Sequence, residues 1–459
     1  MRLLAEYIHA FGRFQRNARL YLISNALSGV TIGIVLVLYN LYLASLGYST
    51  DLIGLVLFVA TLGAALAIFP AGVCVDLFGG KFILIWASVL IGFAGAGQFL
   101  LRDPLPLLVS SFLVGVGGAF VLVVNAPFLT ANSTPAERPQ LFSLNIVLLL
   151  VTTVLGEFIG GALPVWLRNW PLAMAPLPEP LSNVLINQPL ARSYQLALLI
   201  AGIISAPSFI PLFMMSDDRP VRSARTGGTP SIALRENART VLARVRVFSP
   251  AQVIGWLTSP LAALIAVQAL IGLGAGLFIP YFNLYFVQHL GASSALFGVI
   301  DGLANALNAL LTLLAPLLAL RIGKINAIAL TRLLSIPLML IIGLVSWLPL
   351  IALLYPLRQG AMDMTEGLLQ VYSMEVVQKQ HRGLANSSYQ TARQVTVALS
   401  TPLGGLIIAR AGFSPVFIIA AILYLLAIGL FWGRFSGRRA GEEVERRSNE
   451  EAGVLSRSE

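Results

Sequence analysis

Cysteine is almost absent from this chain, with Cys74 the only one in 459 residues. A single thiol excludes an intramolecular disulfide and a thiolate metal cluster, and it says nothing of redox compartment. Histidine is nearly as scarce: His9, His289 and His381 stand far apart, which argues against an imidazole metal site. Charge is the third deficit. Only 11% of residues are Asp, Glu, Lys or Arg, against about 25% in an average soluble domain. Within that small set 3 lysines stand beside 27 arginines, a usage that together with abundant alanine hints at a GC-rich bacterial genome. No nucleophile with an adjacent base is legible, and "GGKF" at 79–82 has Phe82 where a phosphate-cradling loop needs Ser or Thr. These absences argue against an enzyme, and they imply no cofactor and no metal.

What is present is apolar. Hydrophobic residues make up 57% of the chain and the mean hydropathy is +0.84, which is a membrane protein. A bilayer core of about 30 Å needs roughly 20 mostly apolar residues per helix. Runs of that kind fall at about 20–46, 52–74, 82–101, 105–130, 141–167, 194–214, 256–288, 295–320, 325–346, 348–376, 384–409 and 413–434. The expected fold class is therefore an all-α polytopic membrane protein with twelve transmembrane helices. The net charge of +10 would suit a nucleic-acid binder, but the basic residues are dispersed between spans, so no nucleic acid is expected as a partner. Their distribution follows topology instead. With the N-terminus in the cytoplasm, inner segments carry 23 of the 30 basic residues, outer loops only Arg102, Arg168, Arg192 and Arg410, and the spans Arg332, Arg358 and Arg393. Such a bias predicts both termini in the cytoplasm, and with no organelle signal legible the plasma membrane is the expected location.

The chain also repeats itself. "GVTIGIVLVLYNLYLASLG" from Gly29 parallels "GLGAGLFIPYFNLYFVQHLG" from Gly272, with Asn40, Leu41 and Tyr42 matching Asn283, Leu284 and Tyr285 at an offset of 243. After one inserted residue the offset becomes 244, pairing Gly54 with Gly298, Gly79 with Gly323, Arg138 with Arg382 and Gly161 with Gly405. Two homologous six-helix halves follow, and because six is even they enter the membrane from the same side, related by an axis along its normal. The expected units are a cytoplasmic amphipathic N-terminus (1–19), a first bundle (20–215), a basic cytoplasmic linker (216–255), a second bundle (256–435) and a cytoplasmic tail (436–459). Leu4, Tyr7, Phe11 and Phe14 share one face of the first unit and suggest an in-plane surface helix, with a frayed basic tail as the equal alternative. The outer loop 168–193, with five prolines, reads as an irregular extended segment.

"GVCVDLFGGK", Gly72 to Lys81, lies on the inner loop between spans two and three and resembles the signature loop of the major facilitator superfamily. Its second-half counterpart "PLLALRIGK" keeps Arg321, Gly323 and Lys324 but has Leu320 in place of Asp76. "PAERPQLFS" (135–143) and "QKQHRGLANS" (378–387) resemble the family's loops after helices four and ten. The resemblance covers roughly 20–435 and implies the major facilitator fold. It further implies that Gly72, Asp76, Gly79, Gly80, Lys81, Arg138, Arg321, Lys324 and Arg382 form the inner gate. Drug/proton antiporters of that family carry Gly-Pro-x-x-Gly-Gly on helix five, and here Glu157 replaces the proline between Gly156 and Gly160. On the family's plan helices one, four, seven and ten line a central cavity, with Asn25, Tyr39 and Tyr281 as wall.

Polar faces inside the spans locate the chemistry. Helix ten carries Gln359, Asp363, Glu366, Gln370 and Ser373 at helical spacing, with Arg358 beside them. Helix eight carries Asp301, Asn305 and Asn308, and helix eleven Gln390 and Arg393. The matching first-half positions are apolar, including Val114, Ala119 and Leu122. An ionised side chain at mid-bilayer costs at least ~2.5–3.5 kcal/mol, so these groups should face a cavity or one another. Mutual pairing as scaffold would account for them too, and Arg332 is near enough to the inner surface to snorkel. The functional reading is a transporter of a small organic solute in which Asp363 or Glu366 carries a coupling proton. Arg358 or Arg393 then competes for that carboxylate or binds an anionic group of the solute. Symport and antiport both fit, and the rivals are a passive uniporter or a non-transporting sensor or assembly factor of the same fold. The partners expected are the solute, protons and the lipid bilayer, with the chain a monomer.

Overall fold

A computed structural model describes residues 11–12, 14–135, 137–217, 259–376 and 382–436. The expected in-plane N-terminal helix, the linker, the tail and the side chains of Asp76 and Arg382 fall wholly or mainly outside the described parts. The first half comprises α1 (Arg16–Ser45), α2 (Thr50–Phe78), α3 (Gly80–Leu100), α4 (Pro104–Ala131), α5 (Arg138–Arg168) and α6 (Pro189–Met214). The second comprises α7 (Pro260–His289), α8 (Ser294–Ile322), α9 (Lys324–Leu344), a divided α10 (Leu348–Asp363 and Glu366–Val376), α11 (Arg382–Ala411) and α12 (Ser414–Phe435). Among the described residues eleven helices are long and apolar enough to cross a membrane. The twelfth is α10, which does not count as one helix because a two-residue turn, Met364 and Thr365, separates Asp363 from Glu366.

Helix starts follow local chemistry. Proline occupies the first turn of α4, α5, α6, α7, α10 and α12, where its missing N–H is not needed. Ser259 and Ser293 accept the N–H of Ala262 and Leu296, capping α7 and α8. The tight joints α2–α3 and α8–α9 turn on Gly79 (φ 82°, ψ 157°) and Gly323 (φ 82°, ψ 154°), a conformation that a side chain resists.

The repeat is now a spatial two-fold relation. Helix α1 crosses α5 where a Cβ on Gly29 would lie 2.1 Å from Thr152 Oγ1, and α7 crosses α11 where one on Gly272 would lie 2.1 Å from Thr396 Oγ1. The face at which α1 begins is termed proximal, the other distal. The halves meet toward the distal face. Asn40 donates to Pro280 O at 2.6 Å and Asn283 to Val37 O at 3.1 Å, while the two side chains bond each other at 3.3 Å, so the axis runs between them. On either flank Thr50 Oγ1 donates to Gly405 O and Ser294 Oγ to Gly161 O, each at 2.9 Å. Closeness is enforced by absent side chains: a Cβ on Gly405 would come 2.3 Å from Thr50 O, and one on Gly161 2.6 Å from Ser294 O. The seam continues inward through Glu157 and Asn305.

The loop 169–188 is not the irregular excursion expected. It forms two short helical turns, Pro171–Met174 and Glu179–Ser182. Arg192, 4% exposed, ties it down through Ala175 O, Ile186 O and Asn187 O, and Gln195 adds Val184 O and the N–H of Ile186. Three loop carbonyls converging on one guanidinium explain why this segment has a defined path despite its prolines.

Candidate functional site

The polar residues of the second half fall into two tiers. At 1.5 Å rise per residue, Gln268, Arg332, Glu366 and Arg393 lie roughly 12–17 Å from the proximal ends of their helices. Glu157, Asp301, Asn305, Tyr355 and Gln359 lie at a similar depth from the distal ends. On α10 Asp363 stands between them, and Arg358 lies at the depth of the second set.

In the proximal tier Glu366 is the hub. Arg332 Nη2 reaches its Oε2 at 2.7 Å, Arg393 Nη1 its Oε1 at 3.4 Å, and Gln268 Nε2 donates to Oε1 at 3.1 Å. Arg332 is 3% exposed and Gln268 is fully buried. The snorkelling expected of Arg332 does not occur: a carboxylate on the next helix offers a partner nearer than the membrane surface. Thr331, one residue earlier on α9, meets Thr365 at 3.2 Å in the break of α10, so the same two helices hold both the carboxylate and the break.

The distal tier crosses between the halves. Asn305 Nδ2 donates to both oxygens of Glu157, at 2.9 and 3.1 Å, and its Oδ1 accepts from Gln359 Nε2 at 3.0 Å. One amide thus links α5, α8 and α10. Beside it Tyr355 donates to Asp301 at 2.7 Å from within a nest of aromatic rings formed by Phe282 and Phe286. Arg358, 3% exposed, forms no ion pair with either set among the described residues. Its guanidinium lies 4.9 Å over the Phe278 ring, with Tyr424 OH at 3.5 Å and Nε unpartnered. Asp363 feels Arg358, Arg393 and Arg332 electrostatically, yet among the described residues no arginine comes within 4 Å of it.

Other expected residues are dispersed. Gln370 is exposed and Gln390 partly so, and Asn308 keeps an unpartnered Oδ1 on α8. The helix-ten stripe therefore does not act as one face, because the break splits it after Asp363. Asn25 bonds Asn145 at 2.8 Å, and Asn145 in turn Asn125 at 3.4 Å, giving the first half its own small amide chain. Tyr39 is packed inside that half against Phe99 and Ser111 rather than along a cavity. Tyr281 is fully buried with its hydroxyl on Thr401 O, against Gly54 of the other half, and so belongs to the distal seam. Of the expected gate residues, Lys81 donates to Met215 O at 2.5 Å and Arg138 to Thr130 O at 3.3 Å, both within the first half. Gly72 and Gly80 sit in the adjoining helices, Arg321 is exposed, and Lys324 opens α9. Among the described residues no three His, Cys, Asp or Glu side chains gather as a metal site.

Sequence reasoning missed Gln268, Arg332, Tyr355 and Tyr424. Gln268 had a signal, since the offset of 243 pairs it with Asn25, another polar position in an apolar helix.

The sequence profile of the Major Facilitator Superfamily matches residues 21–401 and 359–458. Among curated proteins no sequence match is found. In fold the chain is similar to a bacterial homolog of the human lysosomal transporter Spinster in an inward-facing, unoccupied conformation (TM-score 0.67, 15% identity, 91% of this chain and 96% of that one). It is also similar to a bacterial homologue of the iron transporter ferroportin in an inward-facing state (TM-score 0.65, 16% identity, 92% and 99% covered). A third likeness is to the nucleoside transporter NupG (TM-score 0.62, 13% identity, 92% and 100% covered). At such identities the likeness is one of fold.

Proposed function

The chain belongs to the major facilitator superfamily of membrane transporters, and on that premise we propose that it moves a small organic solute by proton-coupled alternating access. One observation carries this reading: hydrogen bonds tie the halves together from the distal face inward to Glu157, while the Glu366–Arg393 pair, 21% and 28% exposed, remains accessible nearer the proximal face. A charged pair at that depth cannot face lipid without a large cost, so a cleft between the halves is its natural exposure. Tilting one half against the other would part the distal seam and close the proximal side. The arginine bias supports a cytoplasmic proximal face, which makes this conformation open inward.

Proton coupling resides in the helix-ten carboxylates. Protonating Glu366 removes the charge that Arg393 pairs with, and Asp363 offers a second acceptor among the same arginines. The test uses the purified chain in liposomes that enclose a pH-sensitive dye, with solutes added in pools outside. A solute that moves protons with it should lose that signal in Glu366→Gln or Asp363→Asn while still entering down its own gradient. Solute uptake with no proton signal, unchanged in both variants, would make the protein a uniporter.

A further inference from the structure

Arg332 and Arg393 hold Glu366 from two sides, but unequally. Arg332 is buried and 2.7 Å away, whereas Arg393 stands at 3.4 Å, is 28% exposed and hydrogen-bonds no other side chain among the described residues. A guanidinium carries five N–H donors, so most of those on Arg393 are open to the cleft. Its backbone is nonetheless fixed, because a Cβ on Gly272 of α7 would lie 2.5 Å from Arg393 O. Behind it stands Arg358, buried, with no carboxylate within 4 Å and an unpartnered Nε. Arg332, Arg358 and Arg393 all act electrostatically on Asp363, so around it and Glu366 three guanidiniums meet two carboxylates. Such an excess in a membrane calls for an anion.

The facing wall has the opposite character. The two-fold relation sets Leu122 where Glu366 stands, Leu149 for Arg393, Ile146 for Gln390 and Val114 for Arg358. Leu122 and Ile146 are 66% and 64% exposed. A cleft with a cationic wall on one half and an apolar wall on the other suits a molecule with both features.

We infer that the solute is an organic anion whose carboxylate-type group docks on Arg393 by displacing Glu366, with its apolar body against Leu122 and Ile146. This rests on the transport reading above and deepens it. Arg332 retains Glu366 when Arg393 leaves, so the carboxylate is never stranded. Glu366 is faced by Gln268 on α7, Arg332 on α9, Arg393 and Tyr389 on α11, and Asp363 on its own helix, with Arg358 acting on Asp363; among the described residues of that side α8 offers Asp301, which Tyr355 holds. A proton placed on Glu366 releases Arg393, so proton and anion bind cooperatively and travel in the same direction. An anion bound without the proton competes with Glu366 and binds weakly.

The test is a thermal-unfolding series on the full chain in lipid nanodiscs, with acetate, benzoate and 2-naphthoate set against benzamide and 2-naphthamide, and against chloride and phosphate at equal ionic strength. The acids should raise the midpoint in the order of their apolar size, reaching at least about 2 °C for 2-naphthoate, with a larger rise at lower pH, and the amides should not. Arg393→Gln should abolish the rise. Should that variant fail to fold, Glu366→Gln decides alone: by freeing Arg393 it should tighten naphthoate binding about tenfold or more and remove its pH dependence, an outcome no merely structural role of Glu366 produces. Equal shifts with amides, a full shift with chloride or phosphate, or no shift with any acid in either the parent or Glu366→Gln would overturn the inference. Binding needs no gradient, so its loss with proton-linked uptake intact sinks this inference alone, and its persistence without any flux sinks the transport reading alone.

Discussion

At the residue scale the partnership of Arg332 and Glu366 joins stability to function. Taking two ions out of water is expensive, and their attraction repays this only while both are present. Arg332→Ala should therefore cost about 3–5 kcal/mol, because it leaves a carboxylate held only by the longer contact to Arg393 and the amide of Gln268. The double variant Arg332→Met with Glu366→Met should recover most of that loss while abolishing proton-linked uptake. Unfolding of both variants in detergent, followed by tryptophan fluorescence, checks the pair; a double variant as unstable as the single one would mean that Arg332 acts through packing. Asn305 is different in kind. It is a neutral amide that satisfies Glu157 and Gln359 at once across the boundary between the halves, so its contacts must break whenever the halves separate.

At the element scale the crossings α1–α5 and α7–α11 share one geometry but bear different duties. Gly29→Ala would push a methyl group onto Thr152 Oγ1 and Leu149 O, and Gly272→Ala onto Thr396 Oγ1 and Arg393 O. Each should lower stability by about 1–3 kcal/mol, since well-packed interfaces resist added volume. Only Gly272→Ala also displaces Arg393, so only it should change the pH dependence of uptake. Equal effects of the two substitutions on that profile would count against Arg393 as a working residue. Helix α10 shows a related economy. Its interruption at Met364 and Thr365 puts Asp363 at the end of one segment and Glu366 at the start of the next, and Thr365 is anchored on Thr331. Irregular backbone at membrane depth is tolerated where it lies in protein or lines a water-filled space, and here it adjoins the charged cluster. The end of α7 is irregular as well. Pro280 lies in a 3₁₀ turn and offers its carbonyl to Asn40, after which Tyr285–His289 forms a π-helical turn.

At the scale of the whole molecule the distal seam is a lock with two-fold character. Asn40 and Asn283 sit on the axis, and Thr50 with Gly405 and Ser294 with Gly161 flank it. Each asparagine satisfies a backbone carbonyl of the opposite half, so replacing both with alanine removes bonds made only in this state. Asn40→Ala with Asn283→Ala should favour the distally open state by about 1–3 kcal/mol. With Cys74 replaced by serine, spin labels at Ser49 and Ser293, two exposed positions related by the repeat, should report a longer distance in that double variant. An unchanged distance distribution would mean that glycine packing alone holds the seam.

Much of the fold was legible in the sequence, because the membrane imposes a length and an apolar content on each span, and because a repeat of 243–244 residues leaves its trace in glycine and asparagine positions. Asp363, Glu366, Arg358 and Arg393 were visible for the same reason: a charge within an apolar run is conspicuous. What periodicity could not supply was partnership. Helical spacing placed Gln359 through Ser373 on one stripe, but α10 turns at Thr365, which meets Thr331 of another helix. Arg332 lay close enough to a surface to snorkel, and only the approach of α10 turned it inward. Tyr39 and Tyr281 carried aromatic rings with a polar tip, which suit a cavity wall or a packed interior equally, and the choice was made by which helices cross beside them. The sequence by itself determined the spans, their pairing into two halves and the charges that the membrane must accommodate, because these follow from transfer free energies and chain periodicity. Tertiary structure alone decided which charge meets which, because an ion pair is set by distances between helices that no spacing along one helix contains.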